Sequence, residues 1–271
     1  MYSPGMMPTT RTIEGAAVHT TGAGPPIVLL HANGGDHRDF DAIIPQLSRQ
    51  ATVHAIDWPG HGDADPMTAP SACAYAELLP RILEHLGEGP FTLIGNSVGG
   101  FAALRTAARR PELVRTLVVV NPGGFTPRWP TTFVACRLFG SARVAPIAMR
   151  VLPRVYLRRR TPAVAAIRSA AIAASRVPER VEVFARIWRS FTEPDHDARA
   201  DAARVAAPTL LIWGTHDPIL PWLVDGRRAR TALREVQIVK LPCGHQAFAE
   251  LPEAFLDATR AFLGETAEET T

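Results

Sequence analysis

Ser97 stands in Gly95-Asn96-Ser97-Val98-Gly99, a G-x-S-x-G pattern between the apolar run FTLIG (91–95) and the helix pattern FAALRTAARR. A serine hydroxyl is a weak nucleophile, and chemistry at it requires a base held in place by a third group. Between a strand and a helix, this pattern predicts a tight, strained turn that lifts the hydroxyl clear of the backbone. Small residues are needed two places before and two places after, because larger ones would collide with the adjoining strand and helix. The helix that follows aims its free N–H groups and its positive dipole end at the reacting centre. The chemistry these features suit is attack on a carbonyl carbon.

The base is chosen by position from nine histidines. His245, in LPCGHQAFAELPE, falls just after the last strand-like run and before the last helix pattern. That is the strand C-terminal edge where sites form in open α/β sheets. His31 and His61 also lie near strand ends, His31 inside the first core run and His61 after a DWPG turn. For the orienting acid, WGTHDP places Asp217 directly after PTLLIWG, whereas Asn121, at the end of TLVVVN, is not a carboxylate. Two N–H donors are needed for the tetrahedral oxyanion, each worth roughly 3 kcal/mol. The main chain of Val98 supplies one, and Asn33, in the glycine-bearing turn HANGGD (31–36), is expected to supply the other through its own N–H.

Positioning these groups takes a framework of strands that end on one edge. Apolar runs rich in β-branched residues recur at 26–32, 52–58, 91–95, 116–121, 208–214 and 236–242. Their length and continuity fit strands covered on both faces. TIEGAAVHTTG predicts one or two antiparallel edge strands. Helix patterns lie between them at DFDAIIPQLSR, at YAELLPRILEHLG with Pro80 as a kink or break, at FAALRTAARR and at PEAFLDATRAFLGE. The alternation predicts an α/β fold with a mainly parallel sheet and helices on both faces. From about Gly124 to Val205 no strand pattern is found, which predicts an all-helical insertion. The expected organisation is therefore a core over 1–123 and 206–271 with a helical domain over 124–205, and the tail GETAEETT is expected to fray.

The 271 residues, 46% hydrophobic and 20% charged, suit a globular chain with a substantial core. No apolar run approaches the roughly 18 residues of a membrane span. The first residues lack the basic and apolar regions of a signal peptide, and the three cysteines have no metal-type spacing. A reduced, cytoplasmic chain with no metal and no cofactor is expected. The net charge of +3 is unevenly spread: residues 125 to 205 hold fifteen arginines against six acids. The segment reads either as an arginine-rich solvated face or as a basic lid that attracts an anionic substrate or surface. Aromatic and basic residues are not interleaved as a nucleic-acid platform requires, so no nucleic-acid partner is expected. A small molecule is the expected substrate, and a homodimer is an assembly that the sequence leaves open.

In this order, LLHANGGDHRDF, AIDWPGHG, LIGNSVGGFAA, PTLLIWGTHDPILP and LPCGHQAFAELPEAF resemble the signature segments of the α/β-hydrolase superfamily. The resemblance implies an eight-stranded, mostly parallel twisted sheet and makes the helical insertion that family's cap. Residue by residue it implies Ser97 as nucleophile, His245 as base, Asp217 as orienting acid and the N–H groups of Asn33 and Val98 as oxyanion hole. It also implies hydrolysis of a carboxylic ester, thioester or lactone. GNSVGG is similar to the GNSMGG of meta-cleavage-product hydrolases, so cleavage of a carbon–carbon bond in a vinylogous diketone is the main alternative. Gln246 stands where those enzymes usually carry Trp. Cofactor-free haloperoxidases and ligand-binding members of the fold share the same residues.

Overall fold

The computed structural model describes residues 8–268. Eight strands form one sheet: β1 (Thr9–Ile13), β2 (Ala16–Thr21), β3 (Pro26–Leu30), β4 (Thr52–Asp57), β5 (Phe91–Asn96), β6 (Val114–Val120), β7 (Thr209–Gly214) and β8 (Gln237–Leu241). Their order is β1-β2-β4-β3-β5-β6-β7-β8. β1 and β2 pair antiparallel, as do β2 and β4, and every later pairing is parallel.

Both faces of the sheet are covered, and the side chains of each strand alternate between them with period two. Val28, Leu30, Leu93, Leu117, Val119, Leu211 and Trp213 belong to one core cluster. Their neighbours Ile27, Leu29, Ile94, Val118, Val120, Leu210 and Ile212 belong to the other. Strands buried on both faces read as continuous apolar runs, which is why these were visible in the sequence.

Eleven helices are described: α1 (Ile44–Leu47), α2 (Ala72–Leu86), α3 (Val98–Arg109), α4 (Pro130–Phe139), α5 (Ala145–Tyr156), α6 (Pro162–Ala174), α7 (Pro178–Ser190), α8 (Arg199–Ala202), α9 (Arg227–Ala232), α10 (Ala247–Glu250) and α11 (Pro252–Glu268). Two sequence expectations are corrected. The helix expected over DFDAIIPQLSR is only a 3₁₀ turn, His37–Phe40, and the single turn α1. Pro80 neither breaks nor ends α2, which runs unbroken from its Ser71 cap to the left-handed Gly87. Tyr75, Leu79, Ile82 and Leu83 on that helix are all buried in the first cluster. Burial at roughly 1.5–3 kcal/mol for each large apolar side chain can offset a penalty of about 3 kcal/mol for an interior proline.

Between β6 and β7 the described chain holds α4 to α8 and no strand. Two of these helices also pack against the main clusters. Val164 and Ile167 of α6 pack in one main cluster, Val183 and Ile187 of α7 in the other. A small third cluster joins α5 to α7 through Ala148, Met149, Leu152, Phe184 and Ala185. Of the tail expected to fray, the part up to Glu268 is helical, and residues 269–271 lie outside the described residues. Among the described residues, no helix is long and apolar enough to cross a membrane.

Candidate active site

Ser97 joins β5 to α3 with φ 53° and ψ −115°, a backbone conformation that side-chain-bearing residues rarely adopt. Close packing on either side enforces the turn. A Cβ on Gly95 would lie 2.5 Å from the Gly99 carbonyl oxygen, and one on Gly99 would lie 2.3 Å from that of Leu30. Val98 is the first residue of α3, so its N–H has no acceptor within the helix. Among the described residues the Ser97 hydroxyl makes no hydrogen bond. Such bonds are often long or misaligned without substrate and tighten when it binds.

His245 and Asp217 come together from the loops after β8 and β7. His245 Nδ1–H donates to Asp217 Oδ2 at 2.6 Å, and both residues are buried. The other ring nitrogen is thereby left as the acceptor. Asp217 takes two further bonds, from Asn121 Nδ2 at 2.7 Å and from the Ile219 N–H at 2.8 Å. Asn121 stands at the end of β6 with a positive φ of 40°, and its Oδ1 accepts from the Gly214 N–H at 2.8 Å. One amide thus ties the ends of two parallel strands to the carboxylate.

The histidine loop is held from three directions. Asn96, beside the serine, donates through Nδ2 to the carbonyls of Val120 and His245, at 2.9 and 3.0 Å. The His245 N–H donates to the Tyr156 carbonyl at the end of α5, at 3.0 Å. Glu250 accepts from the main-chain N–H groups of Arg158 and Arg159, at 2.6 and 3.0 Å. Gln246 is buried and donates to Asp39 Oδ2 at 3.2 Å. Burial, with Asp36 nearby, pushes the Asp39 carboxyl well above the usual range.

The turn that carries Asn33 is closed by a Gly35 N–H bond to the Ala32 carbonyl. Two histidines brace it. His31 donates from Nδ1 to the Ala32 carbonyl at 2.7 Å and accepts the Trp58 N–H at Nε2. His61 accepts the Gly34 N–H at 3.1 Å, and burial lowers its pKa to about 3, so it stays neutral and available as an acceptor. Asn33 donates from its side-chain Nδ2 to the Phe184 carbonyl of α7 at 3.2 Å.

Asn33, Ser97, Val98 and His245 all line one cavity of about 360 Å³. Asp217 is not on the cavity wall and reaches it through His245. Much of the remaining wall is apolar and comes from the helices between β6 and β7, including Phe139, Met149, Leu152, Phe184 and Trp188. Among the described residues no Arg or Lys lines the cavity. His196 lines it too, its ring set between Phe101 and Phe191 at 4.7 and 4.9 Å. The sequence offered no signal for His196, nor for the Asn121, Asn96 and Glu250 contacts, because each joins residues far apart in the chain.

One group of potential metal ligands lies away from the cavity wall: His19, His37, Asp57 and Asp63. Asp57 there accepts the N–H groups of His37 and Asp63 and a bond from each imidazole. The two rings stack at 3.6 Å and 22°, and each points one nitrogen at Asp57 Oδ2, at 3.1 and 2.9 Å. The group acts as a hydrogen-bond hub joining β2 to the segment after the Asn33 turn.

A family model described as alpha/beta hydrolase fold matches residues 25–252. An uncharacterised protein of Mycobacterium tuberculosis is 29% identical, over 94% of this chain and 81% of its own. The pimeloyl-[acyl-carrier protein] methyl ester esterase of Nitrosomonas europaea is 28% identical, over 89% of this chain and 97% of its own. A thermophilic esterase of Thermogutta terrifontis superimposes with a TM-score of 0.81 at 23% identity, over 96% of this chain and 99% of the other, a likeness of fold.

Proposed function

The chain belongs to the α/β-hydrolase fold family, and from that premise we propose that it is a serine esterase cleaving a carboxylic ester, thioester or lactone of a small organic substrate. The observation that carries this reading is the buried 2.6 Å bond from His245 to Asp217, with His245 and Ser97 facing the same cavity. The esterase of Nitrosomonas europaea, named for a methyl ester, supports the ester class.

In the proposed mechanism His245 Nε2 takes the Ser97 proton as the oxygen attacks the carbonyl carbon. The resulting oxyanion is received by the N–H groups of Asn33 and Val98. As the tetrahedral intermediate collapses, His245 returns the proton to the leaving alcohol or thiol, and an ester joins Ser97 to the acyl group. Water then attacks that ester, again giving its proton to His245, and the carboxylic acid leaves as Ser97 recovers its proton. Asp217 keeps Nδ1 protonated and stabilises the imidazolium that forms in each half-reaction. Asn121 keeps Asp217 aimed at His245.

The helices between β6 and β7 act as the cap that shapes the substrate cavity. With an apolar wall and no Arg or Lys in its lining, the cavity favours an uncharged group next to the reacting carbonyl. The positive charge of the cap is then a long-range influence on approach, outside the reaction chamber.

Ser97→Ala tests the reading directly. Hydrolysis of p-nitrophenyl butyrate is expected to fall by roughly 10³-fold or more, with the circular dichroism spectrum unchanged. Activity within about a tenth of the parent protein would remove Ser97 from the role of nucleophile. A dienone diketone in the same assay separates ester hydrolysis from carbon–carbon cleavage.

A further inference from the structure

Helices α4 and α5 are neighbours and serve as walls of the cavity, through Cys136 and Phe139 on one and Met149 and Leu152 on the other. A wall helix in a water-exposed cap normally shows polar residues outward. These two are apolar outward as well. On α5, Ile147 (59% exposed), Val151 (46%) and Val155 (39%) recur every four residues, forming a single outward stripe. On α4, Val134 (66%) and Leu138 (50%) do the same, and Trp129 at its start is 54% exposed. These account for six of the eight large apolar side chains that stand exposed among the described residues.

The charge around the stripes has one sign. Residues 121 to 178 contain ten arginines and no aspartate, glutamate or lysine. Among the described residues none of the ten takes part in an ion pair. Arg154 bonds instead to the Arg150 carbonyl and Arg158 to that of Val155, which leaves their charge uncompensated. At 100° per residue, Arg150 and Arg154 border the Ile147–Val151–Val155 stripe along one side.

We propose that the outward face of α4 and α5 docks on the surface of an anionic phospholipid bilayer. The aliphatic stripe enters the boundary between headgroups and acyl chains, and the flanking arginines meet the lipid phosphates. Each half matches a known requirement of interfacial helices: apolar area that gains by leaving water, and cations held at headgroup level. An acidic protein would satisfy the arginines but leave the regular aliphatic stripe unexplained. Docked this way, the cavity lies about one helix diameter, ~10 Å, from the membrane surface. The proposal concerns the outer face of the cap and does not depend on the ester reading.

Flotation of the full chain with vesicles tests it. The parent protein is expected to float with phosphatidylcholine vesicles containing about a third phosphatidylglycerol at least tenfold more than with phosphatidylcholine alone. The difference should collapse when salt rises from ~0.1 M to ~0.5 M. The double variant Ile147→Ser/Val151→Ser should lose about tenfold in binding to the anionic vesicles. The double variant Arg150→Gln/Arg154→Gln should lose a similar amount. Unchanged melting temperatures show that the variants are folded, so no outcome depends on catalysis. Absence of flotation with either vesicle overturns the proposal. So does flotation that the serine variant leaves intact, because charge alone would then account for it, as for an acidic protein partner.

Discussion

Asp217 shows how much of a candidate catalytic group's behaviour is set by a residue with no chemistry of its own. Its Oδ2 takes both the His245 ring and the Asn121 amide, while Oδ1 is held by the Ile219 N–H. Asn121→Leu removes the second Oδ2 bond and strands the buried Gly214 N–H that the amide also serves. A loss of about 1–3 kcal/mol in stability is expected, read by urea unfolding. A drop of roughly 10- to 100-fold in kcat with little change in KM should accompany it, since Asn121 positions the acid without lining the cavity. A variant with parental kcat would show that Asp217 needs no such brace. At this scale Ser97, Asp217 and His245 could be picked from the sequence as candidates, because each follows a strand that is legible as an apolar run. The sequence revealed Asn121 only as a missing carboxylate, since its partner is 96 residues away.

The element that matters most is the passage from β5 through Ser97 into α3. Its two flanking glycines meet backbone, not flexible side chains, so a methyl there cannot be absorbed by rotamer changes. Gly99→Ala should destabilise the protein by about 3 kcal/mol or more, beyond the usual range for an added core methyl, because β3 itself must move. Denaturant unfolding would measure this, and a loss below ~1 kcal/mol would mean that the strand and helix are not in fixed contact. Strands were easier to locate than helices for a physical reason. A strand buried on both faces is apolar throughout, whereas the segment 39–49 carries a helix-like pattern but forms only a 3₁₀ turn and a single helical turn. Pro80 does not break α2, since tertiary burial of the helix outweighs its local preference.

At the scale of the whole molecule, buried histidines contribute to the response to acid. His61 and His196 are lowered by burial from the ordinary 6.5 to about 3 and about 4. The unfolded chain therefore binds protons before the folded one does. The stability these two residues protect is complete above pH 6.5 and is lost as pH falls toward 4 and then 3. Asp225, which burial raises to about 6, works the opposite way: its folded form takes up a proton first and gains stability as pH falls from about 6 toward 4. Melting temperature is expected to fall between pH 7 and pH 4. The fall should be shallower in His196→Phe, which keeps an aromatic ring between Phe101 and Phe191, and steeper in Asp225→Asn. Identical profiles in all three proteins would count against this assignment. The helices between β6 and β7 belong to this scale as well, because α6 and α7 pack into the two main clusters.

By itself the sequence determined the alternating strands and the serine turn, and it singled out Ser97, Asp217 and His245 as candidates. Local rules suffice for these: apolar runs mark buried strands, and glycine spacing marks a turn with no room for side chains. Only the tertiary structure decided that Asn121 and Asn96 lock the acid and the histidine loop, and that His61 is a neutral brace under the Asn33 turn. Only it showed the arginines of residues 125–205 lying outside an apolar cavity while α4 and α5 turn apolar stripes to solvent. Those features depend on which distant side chains share a space and on which face of a helix is left uncovered, and no local pattern in the chain encodes either.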